Sequence, residues 1–557
     1  MASEHSNPSP TMGDPSIPAQ DGKHSQKITP KMLWLTICVS CAAWIAEFDI
    51  GYAGIVLIMP SYKKAFGHCT QQPDPITGDM IEQCVLSTLR QSLISIAILF
   101  MAVGGALAGL FGSILGRRAT IQIACLFCII GAAGMLGTSG NFLNYMVCKC
   151  INGVGIGQLL ASSIVYGSEC VLASKRGLLL GIYNIGLAMG SVAAAAVCAG
   201  SATLPPQNDW QWKTPIICQI PLGIILGLGV MLFPESPRWL LLKGKQEQAR
   251  MSFATFQNIM DPHSLEITAQ LEDVQRHLEF EKSLDATTSW IDLYRGTNLR
   301  RTAVSALILI GLAISGAQFV GPYAALFLSG VGIKNPYLIN AIVGLCILAG
   351  ALIGPFALDY GGRRFSMLFG WTGMAVCMLI LSSVSTGLGE HNPTSQTVVV
   401  VFLCLWAFIF GGFIGPSVWL ASAEMHSVRM RTIGQANTTF LYEIFSFSAT
   451  FWTPYMLNVK YGNMGSDVGY FYCGVTVGVT ILVFLFVPET SRLTLEQIDD
   501  FFVSGKRAWN TSTKRNIAIS RGQCLDLSKT EHEALVSGGV QDSSAATPRN
   551  ESSTSIE

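Results

Sequence analysis

Long apolar runs alternate with short polar connections along most of this chain. A bilayer core about 30 Å thick is crossed by about 20 apolar residues, because a helix rises about 1.5 Å per residue. Twelve runs reach that length, near 32–59, 91–112, 119–139, 143–166, 178–200, 214–233, 302–329, 337–358, 364–386, 396–422, 433–457 and 468–487. The pattern therefore predicts an all-α membrane protein with twelve transmembrane helices.

Three motifs occur twice, once in or after each group of six runs. They are PESPRWLLLKGK at 234–245 and PETSRLTLEQID at 488–499, Glu169-x6-Arg176 and Glu424-x6-Arg431, and LGRR at 115–118 and GGRR at 361–364. Duplicated membrane bundles usually pass a small solute through the interface between their two copies. We therefore predict two six-helix halves, 32–234 and 302–487, that form a transporter.

The remaining segments are polar. Residues 1–31 are rich in Ser and Pro and are expected to be disordered, as is the Ser- and Thr-rich tail 488–557 beyond about residue 505. The loop 235–301 has helical spacing with alternating charge, which predicts three or four short helices. The distribution of Lys and Arg favours both termini, and this loop, on the cytoplasmic side.

Composition supports a membrane protein. Half of the 557 residues are hydrophobic, only 13% are charged, and the mean hydropathy is +0.44. Basic and acidic residues cancel, so nothing points to nucleic acid. No Cys/His spacing suits a metal, and no nucleophile–base set or nucleotide loop suggests an enzyme or a cofactor. Cys69 and Cys84 share one loop, where they could form a disulfide if the loop is external, or remain free thiols.

The repeated charged motifs predict an ion-pair network on the cytoplasmic side. Asp359 precedes the GGRR turn and could bind backbone N–H groups and neighbouring arginines; Ser113 takes its place in the first half. Because the set recurs, we favour a network that forms when the inner gate closes over ordinary positive-inside charge. Its predicted members are Arg117, Arg118, Glu169, Arg176, Asp359, Arg363, Arg364, Glu424 and Arg431.

Together these motifs resemble the sugar porters of the major facilitator superfamily, over roughly residues 32–502. Within that family, Phe48–Gly67, Ala423–Thr432 and Thr453–Asn458 are similar to fungal maltose and α-glucoside permeases. The resemblance implies the major facilitator fold and proton-coupled uptake of a sugar, with α-glucosides favoured. It also implies a plasma-membrane protein, and we expect it to be a monomer in the bilayer.

Asp49 is the leading candidate for proton coupling, because a carboxylate within a spanning helix costs at least about 2.5–3.5 kcal/mol. The alternative is a helix-end carboxylate that reaches water. The resembling family usually carries Arg four residues before a Gly-x-Gly-x-Gly motif, and Lys149 holds that position here. Lys149 is therefore the expected partner of Asp49. The glycines are expected to let the first and fourth predicted spans approach each other closely. Glu47 and Glu443 could face the cavity, pair with an interfacial group or snorkel.

The resemblance also implies a sugar site. Its candidate residues are Asn184, Gln318, Tyr323, Asn340 and Trp419, with Trp419 as the stacking ring and Tyr442 as a lower-grade candidate. Leu312 and Ala313 replace the family's paired Gln, which leaves room for a larger sugar. Two other functions stay open: transport of a non-sugar solute (a polyol, a cyclic acid or a secondary metabolite), and sugar sensing without transport.

Overall fold

The computed structural model describes residues 29–73, 80–138, 140–171, 176–285, 289–427, 429–493, 495–504 and 507–520. The first half contains α1 (Pro30–Ile55), α2 (Pro60–Phe66), β1 (His68–Pro73), β2 (Met80–Val85), α3 (Thr88–Leu93), α4 (Ile96–Ile114), α5 (Arg117–Leu136), α6 (Phe142–Cys170), α7 (Arg176–Ser201), α8 (Trp210–Ile217) and α9 (Gln219–Met231). The connecting loop contains α10 (Pro237–Leu242), α11 (Gln246–Gln257) and α12 (Leu265–Asp285), followed by a 3-10 turn at Trp290–Tyr294.

The second half repeats the pattern. It contains α13 (Gly296–Leu312), α14 (Gln318–Gly330), α15 (Pro336–Gly361), α16 (Arg363–Leu388), α17 (Pro393–Ile409), α18 (Gly415–Met425), α19 (Arg431–Leu457) and α20 (Val468–Phe486). Two helices follow, α21 (Leu495–Val503) and α22 (Thr513–Ser520). The predicted all-α membrane fold is confirmed.

Among the described residues, eleven helical segments are long and apolar enough to cross a membrane. The twelfth predicted span corresponds to α19, which has 27 residues and is long enough. It is less apolar than the others, because Thr, Ser, Asn and Gln side chains and Glu443 interrupt it. Helix α19 packs against α3 and α4 of the first half and α13 and α14 of the second. Its polar character therefore coincides with a place at the boundary between the halves.

The halves meet along three seams: α1 against α14, α7 against α15, and α19 against α3 and α4. We call the end of the bundle that carries β1 and β2 the hairpin face, and the opposite end, where α1 begins, the termini face. Gly54, in the last turn of α1, lies against Pro322 near the hairpin face. A Cβ at Gly54 would stand only 1.4 Å from the Pro322 carbonyl oxygen, so only glycine allows this approach.

Two spans of the second half are interrupted by wide turns. A π-helical turn at Ala313–Ala317 joins α13 to α14, and Gly316 within it has a φ of 97°. Another π-helical turn, Phe410–Ile414, joins α17 to α18. Such turns are frequent at functional sites, because they leave backbone groups free of the regular helical ladder. Both turns lead directly into helices that carry predicted site residues.

On the hairpin face, β1 and β2 pair antiparallel with Cys69 directly opposite Cys84. Of the two possibilities that the sequence leaves open, the structure has the disulfide between them. Lys64 and Glu82 add an exposed ion pair at 3.4 Å. The first loop is thus a covalently closed hairpin.

The chain after α21 differs from the expectation of disorder beyond about residue 505. Residues 507–520 form a 3-10 turn at Ala508–Asn510 and the helix α22. The Thr511 side chain accepts a hydrogen bond from the second half, and Thr513 and Asn516 donate hydrogen bonds to it, which fastens this segment in place. The low hydrophobicity that suggested disorder did not reveal these polar contacts.

Replacing Gly54 by Ala should destabilise the protein by about 1–3 kcal/mol, because α1 and α14 must separate to admit the methyl group. Gly109→Ala is the matched control, since nothing lies within 4 Å of a Cβ at that position. Thermal unfolding of the purified protein in detergent measures both. Equal melting temperatures for the two variants would contradict the close approach of the helices.

Candidate functional site

A buried ion pair joins α1 to α6. The ammonium of Lys149 lies 2.7 and 2.8 Å from the two carboxylate oxygens of Asp49. Both residues are almost wholly buried, at 2% and 3% exposure. Tyr52 completes the ammonium's surroundings: its hydroxyl lies 3.2 Å from Nζ and its ring centroid 4.6 Å away. The structure therefore brings the two predicted coupling residues together, with a third residue that the sequence analysis missed.

The position of Tyr52 follows from helix geometry. Residues three apart lie on one face of a helix, so Tyr52 must present its ring beside Asp49. On α6, Asn152 follows Lys149 by the same interval, and its amide donates to Gln219 of α9 at 3.1 Å and to the Cys128 carbonyl at 3.2 Å. The i, i+3 spacing from each charged residue is the signal that could have identified these neighbours.

The glycines after Lys149 have a different role from the expected one. A Cβ at Gly153 or Gly157 would meet the carbonyl oxygen of Ala97 or Met101 on α4, and a Cβ at Gly155 would meet α5. They let α6 approach α4 and α5 rather than α1. The long Lys149 side chain itself bridges to α1, as a flexible four-carbon stem can.

A second polar group lies where the wide turns of the second half end. The amide nitrogen of Gln318 donates to the Tyr442 hydroxyl at 3.2 Å, and Thr450 donates to the Gln318 amide oxygen at 3.3 Å. The rings of Trp419 and Tyr442 meet edge to face, with centroids 5.1 Å apart. We call Gln318, Trp419, Tyr442 and Thr450 the Tyr442 cluster. It combines an amide, hydroxyl groups and an indole that is 39% exposed.

Three predicted substrate residues lie apart from this cluster. Tyr323 is 1% exposed and donates to the Gln91 carbonyl of α3 at 3.3 Å, so it joins the halves near the hairpin face. Asn184 on α7 and Asn340 on α15 are partly buried. These helices run antiparallel, with Val192 beside Gly344. The two amides are therefore about 12 residues, or roughly 18 Å, apart along the seam.

Glu47 and Glu443 lie close to the Tyr442 cluster. Both carboxylates are near enough to the Tyr442 hydroxyl to interact with it electrostatically. Both are partly buried, and no ion pair of either lies among the described residues. Of the possibilities that the sequence leaves open, these contacts favour a position facing the space between the halves.

On the termini face, a carboxylate of the first half holds the start of α5. Glu235, of the PESPR motif, accepts hydrogen bonds from the backbone N–H groups of Arg117 at 2.9 Å and Arg118 at 3.2 Å. The Arg117 guanidinium binds Glu169 through two nitrogens, at 2.9 and 3.0 Å. Helix N-termini favour anions, because their first N–H groups lack partners within the helix.

The second half repeats this arrangement. Glu489, of the PETSR motif, accepts from the N–H groups of Arg363 at 3.0 Å and Arg364 at 3.1 Å. The Arg363 guanidinium binds Glu424 at 3.1 Å, and the Thr490 hydroxyl donates to Glu424 at 2.6 Å. We call Glu235 and Glu489, each with the helix start that it binds, the two carboxylate clamps. The sequence analysis used both motifs as markers of duplication and missed these carboxylates.

The other predicted network members lie elsewhere. Asp359 is exposed, because Glu489 already occupies the N–H groups at the start of α16. Arg431 is exposed and lies close to His426 rather than Glu424. Burial, Arg301 and Arg431 together lower the pKa of His426 to about 4, so this side chain is neutral at pH 7. The side chain of Arg176 falls outside the described residues.

Comparison with known proteins identifies transporters that resemble this chain over most of its length. The chain is 26% identical to the "High-affinity fructose transporter ght6" of Schizosaccharomyces pombe, over 86% of this chain and 88% of that protein. It is 28% identical to the "Probable glucose transporter rco-3" of Neurospora crassa, over 85% and 79%. The structure superposes on the xylose transporter XylE from E. coli with a TM-score of 0.68 and 20% identity, over 84% of this chain and 100% of that one.

The structural similarity shows a shared fold, that of the major facilitator superfamily. The description "Sugar (and other) transporter" matches residues 35–502, which include both halves, the buried ion pair and the two carboxylate clamps. The chain is a multi-pass membrane transporter rather than an enzyme, and it belongs to the Sugar (and other) transporter family.

Proposed function

We propose that this protein couples the entry of protons to the uptake of a sugar, by alternating access between its two halves. The observation that carries the proposal is the buried pair of Asp49 and Lys149 in the first half, together with an aromatic and amide cluster in the second. We further propose that it resides in the plasma membrane with its termini face in the cytoplasm. The fructose and glucose transporters among its relatives support a sugar as the solute.

The proton step begins at Asp49. In its charged form this carboxylate accepts both hydrogen bonds from the Lys149 ammonium, and the pair is stable because each charge offsets the burial cost of the other. A proton on Asp49 removes that attraction, while Tyr52 still contacts the ammonium through its hydroxyl and ring. Protonation thus weakens the contact between α1 and α6, while Tyr52, also on α1, remains a partner for the Lys149 charge.

The sugar binds at the Tyr442 cluster. The hydroxyl groups of a sugar need paired donors and acceptors, which Gln318, Tyr442 and Thr450 provide, and its C–H face stacks on the Trp419 ring. Leu312 and Ala313 present no amide in the same part of the second half. We therefore propose an α-glucoside, because a longer sugar gains stacking area without a hydrogen bond for every hydroxyl.

The alternative solutes are left to uptake measurements. A polyol, a cyclic acid or a secondary metabolite remains compatible with the cluster and is an outcome of the tests below. A sensor would bind sugar without moving it, and the same uptake measurements identify that case.

Asp49→Asn should abolish accumulation of sugar against its gradient while leaving downhill entry in part, because the amide cannot take up a proton. Uptake of a labelled-sugar panel in transport-null yeast, with and without a protonophore, measures this. Asp359→Asn is the control, since that carboxylate is exposed. Undiminished proton-driven accumulation in Asp49→Asn at equal surface expression would exclude Asp49 from coupling. A wild type that moves no sugar would instead support a sensor or a non-sugar solute.

Lys149→Ala should change the pH dependence of uptake, because it removes the cation that stabilises the charged form of Asp49. Lys149→Arg keeps the charge and should retain more activity than Lys149→Ala, although its planar fork does not fit the same space as an ammonium. Initial uptake rates between pH 4.5 and about 7.5 test the pair. A pH profile of Lys149→Ala that matches the wild type would show that this contact does not govern coupling.

Maltose or another α-glucoside should compete with uptake better than glucose does. Trp419→Ala should raise the apparent KM roughly two- to tenfold, because contact with an aromatic ring is worth about 0.5–1.5 kcal/mol. Trp34→Ala, on the exposed side of α1, is the matched control. Competition by glucose but by no disaccharide would overturn the choice of an α-glucoside. An unchanged KM in Trp419→Ala would remove that ring from the site.

A further inference from the structure

The segment after α21 returns to the second carboxylate clamp. The side-chain amide of Asn516 on α22 donates to the backbone carbonyls of Glu489 and Ser491, at 3.0 Å each. Asn516 is 2% exposed, although it lies only 41 residues from the end of a 557-residue chain. A buried amide that satisfies two carbonyls of one turn is a specific contact, because unpaired buried groups are costly.

Two threonines of the same segment bind the same region. The Thr511 hydroxyl accepts from the N–H of Glu489 at 2.8 Å. The Thr513 hydroxyl donates to the Gly361 carbonyl, the last residue of α15, at 3.1 Å. Residues 507–520, which we call the C-terminal strap, therefore hold the end of α15 and the turn after α20 together.

The strap also adjoins the carboxylate of Glu489. Gly362 has a φ of 86°, and a Cβ there would lie 2.6 Å from both a Glu489 carboxylate oxygen and the Thr513 hydroxyl. The carboxylate and the hydroxyl thus share the small space above Gly362. Loss of the strap would free both backbone groups of Glu489 while its carboxylate still bound the start of α16.

The first half supports its clamp differently. The Ser252 hydroxyl of α11 donates to the Glu235 carbonyl at 2.7 Å, and Ser252 is 1% exposed. Ser252 thus does for Glu235 what Asn516 does for Glu489. Helix α11 belongs to the loop between the halves and is continuous with both. The strap follows both halves along the chain, so its release would break only its own contacts with the second half.

We propose that the C-terminal strap is a detachable clamp that sets the rate at which the second half changes position during transport. With the strap bound, the cytoplasmic ends of α15, α16 and α20 move as one body. With the strap released, that body loosens and the maximal rate of uptake falls. The strap lies on the termini face, away from the Tyr442 cluster, so the apparent affinity for solute stays the same. This inference rests on the proposed transport function.

The test compares Asn516→Ala, and a chain that stops after residue 506, with the wild type in labelled-sugar uptake. Lys514→Ala is the matched control, because this neighbouring side chain is exposed. A chain that stops after residue 520 is the second control, since it keeps the whole strap. We expect a several-fold lower maximal rate per surface molecule, with unchanged KM, in the first two proteins and wild-type kinetics in both controls.

Thr513→Asp and Thr513→Val refine the test. A carboxylate at residue 513 would face Glu489 and be repelled, whereas valine only loses the hydrogen bonds of the hydroxyl to Gly361 and from Ser491. We expect the maximal rate of Thr513→Asp to match that of the chain that stops after residue 506. The maximal rate of Thr513→Val should fall between that value and the wild-type rate. A role in folding alone would change surface amount and leave the rate per molecule unaltered.

Wild-type rates in Asn516→Ala and in the chain that stops after 506 would overturn the proposal, as would a change in KM alone. An equal loss of maximal rate in the chain that stops after residue 520 would show that residues beyond the strap, rather than the strap, set the rate. If the wild type moves no tested sugar, the transport proposal fails separately. In that case, a lower melting temperature of Asn516→Ala than of Lys514→Ala in detergent would still show that the strap holds the second half.

Discussion

A charged side chain within a bilayer needs a partner or access to water, and this constraint arranges the polar residues of the whole bundle. The first half meets it with Asp49 and Lys149, which satisfy one another inside a packed interior and use Tyr52 as a third contact. Glu47 and Glu443 lie near enough to the Tyr442 hydroxyl to interact with it electrostatically, and no ion pair of either lies among the described residues. The buried ion pair lies on α1 and α6, whereas the Tyr442 cluster lies on α14, α18 and α19, so the two polar groups are kept on different elements.

At the termini face, paired charges make each half rigid. Glu235 and Glu489 each occupy N–H groups at the start of a helix, while Arg117 and Arg363 bind a second carboxylate on a neighbouring helix. A carboxylate on a helix N-terminus is favoured by both the unpaired donors and the helix dipole. All of these contacts lie within one half, so they tie each half into a body of its own and leave the halves free to rock against one another. That is the mechanical requirement of alternating access in a duplicated transporter.

The sequence predicted best those features that depend only on residues close together along the chain. Hydrophobic run length is set by bilayer thickness, so twelve helices could be placed from it, and only α19 proved markedly polar. Asp49 could be singled out because a carboxylate in a span is costly by itself. The clamp carboxylates could not, since Glu235 meets Arg117 across 118 residues and nothing in the local pattern specifies that contact. Asp359 was predicted to bind N–H groups because it adjoins the GGRR turn, but proximity along the chain did not decide which carboxylate binds there. Tyr323 lies apart from the Tyr442 cluster for a related reason: its hydroxyl donates to the Gln91 carbonyl of the other half.

Coupling between the two proposed sites has a short physical route. Asp49 lies five residues, or about 7.5 Å of helix, from Gly54 on α1. Gly54 contacts the Pro322 carbonyl with no room for a methyl group, so α1 cannot shift there without moving α14. Pro322 lies one turn after Gln318, which begins α14 and binds Tyr442. A change in the Asp49–Lys149 contact that displaces α1 therefore reaches the amide of the Tyr442 cluster through a single helix contact. The absence of a side chain at Gly54 makes that contact rigid, because backbone meets backbone and no rotamer can absorb the motion.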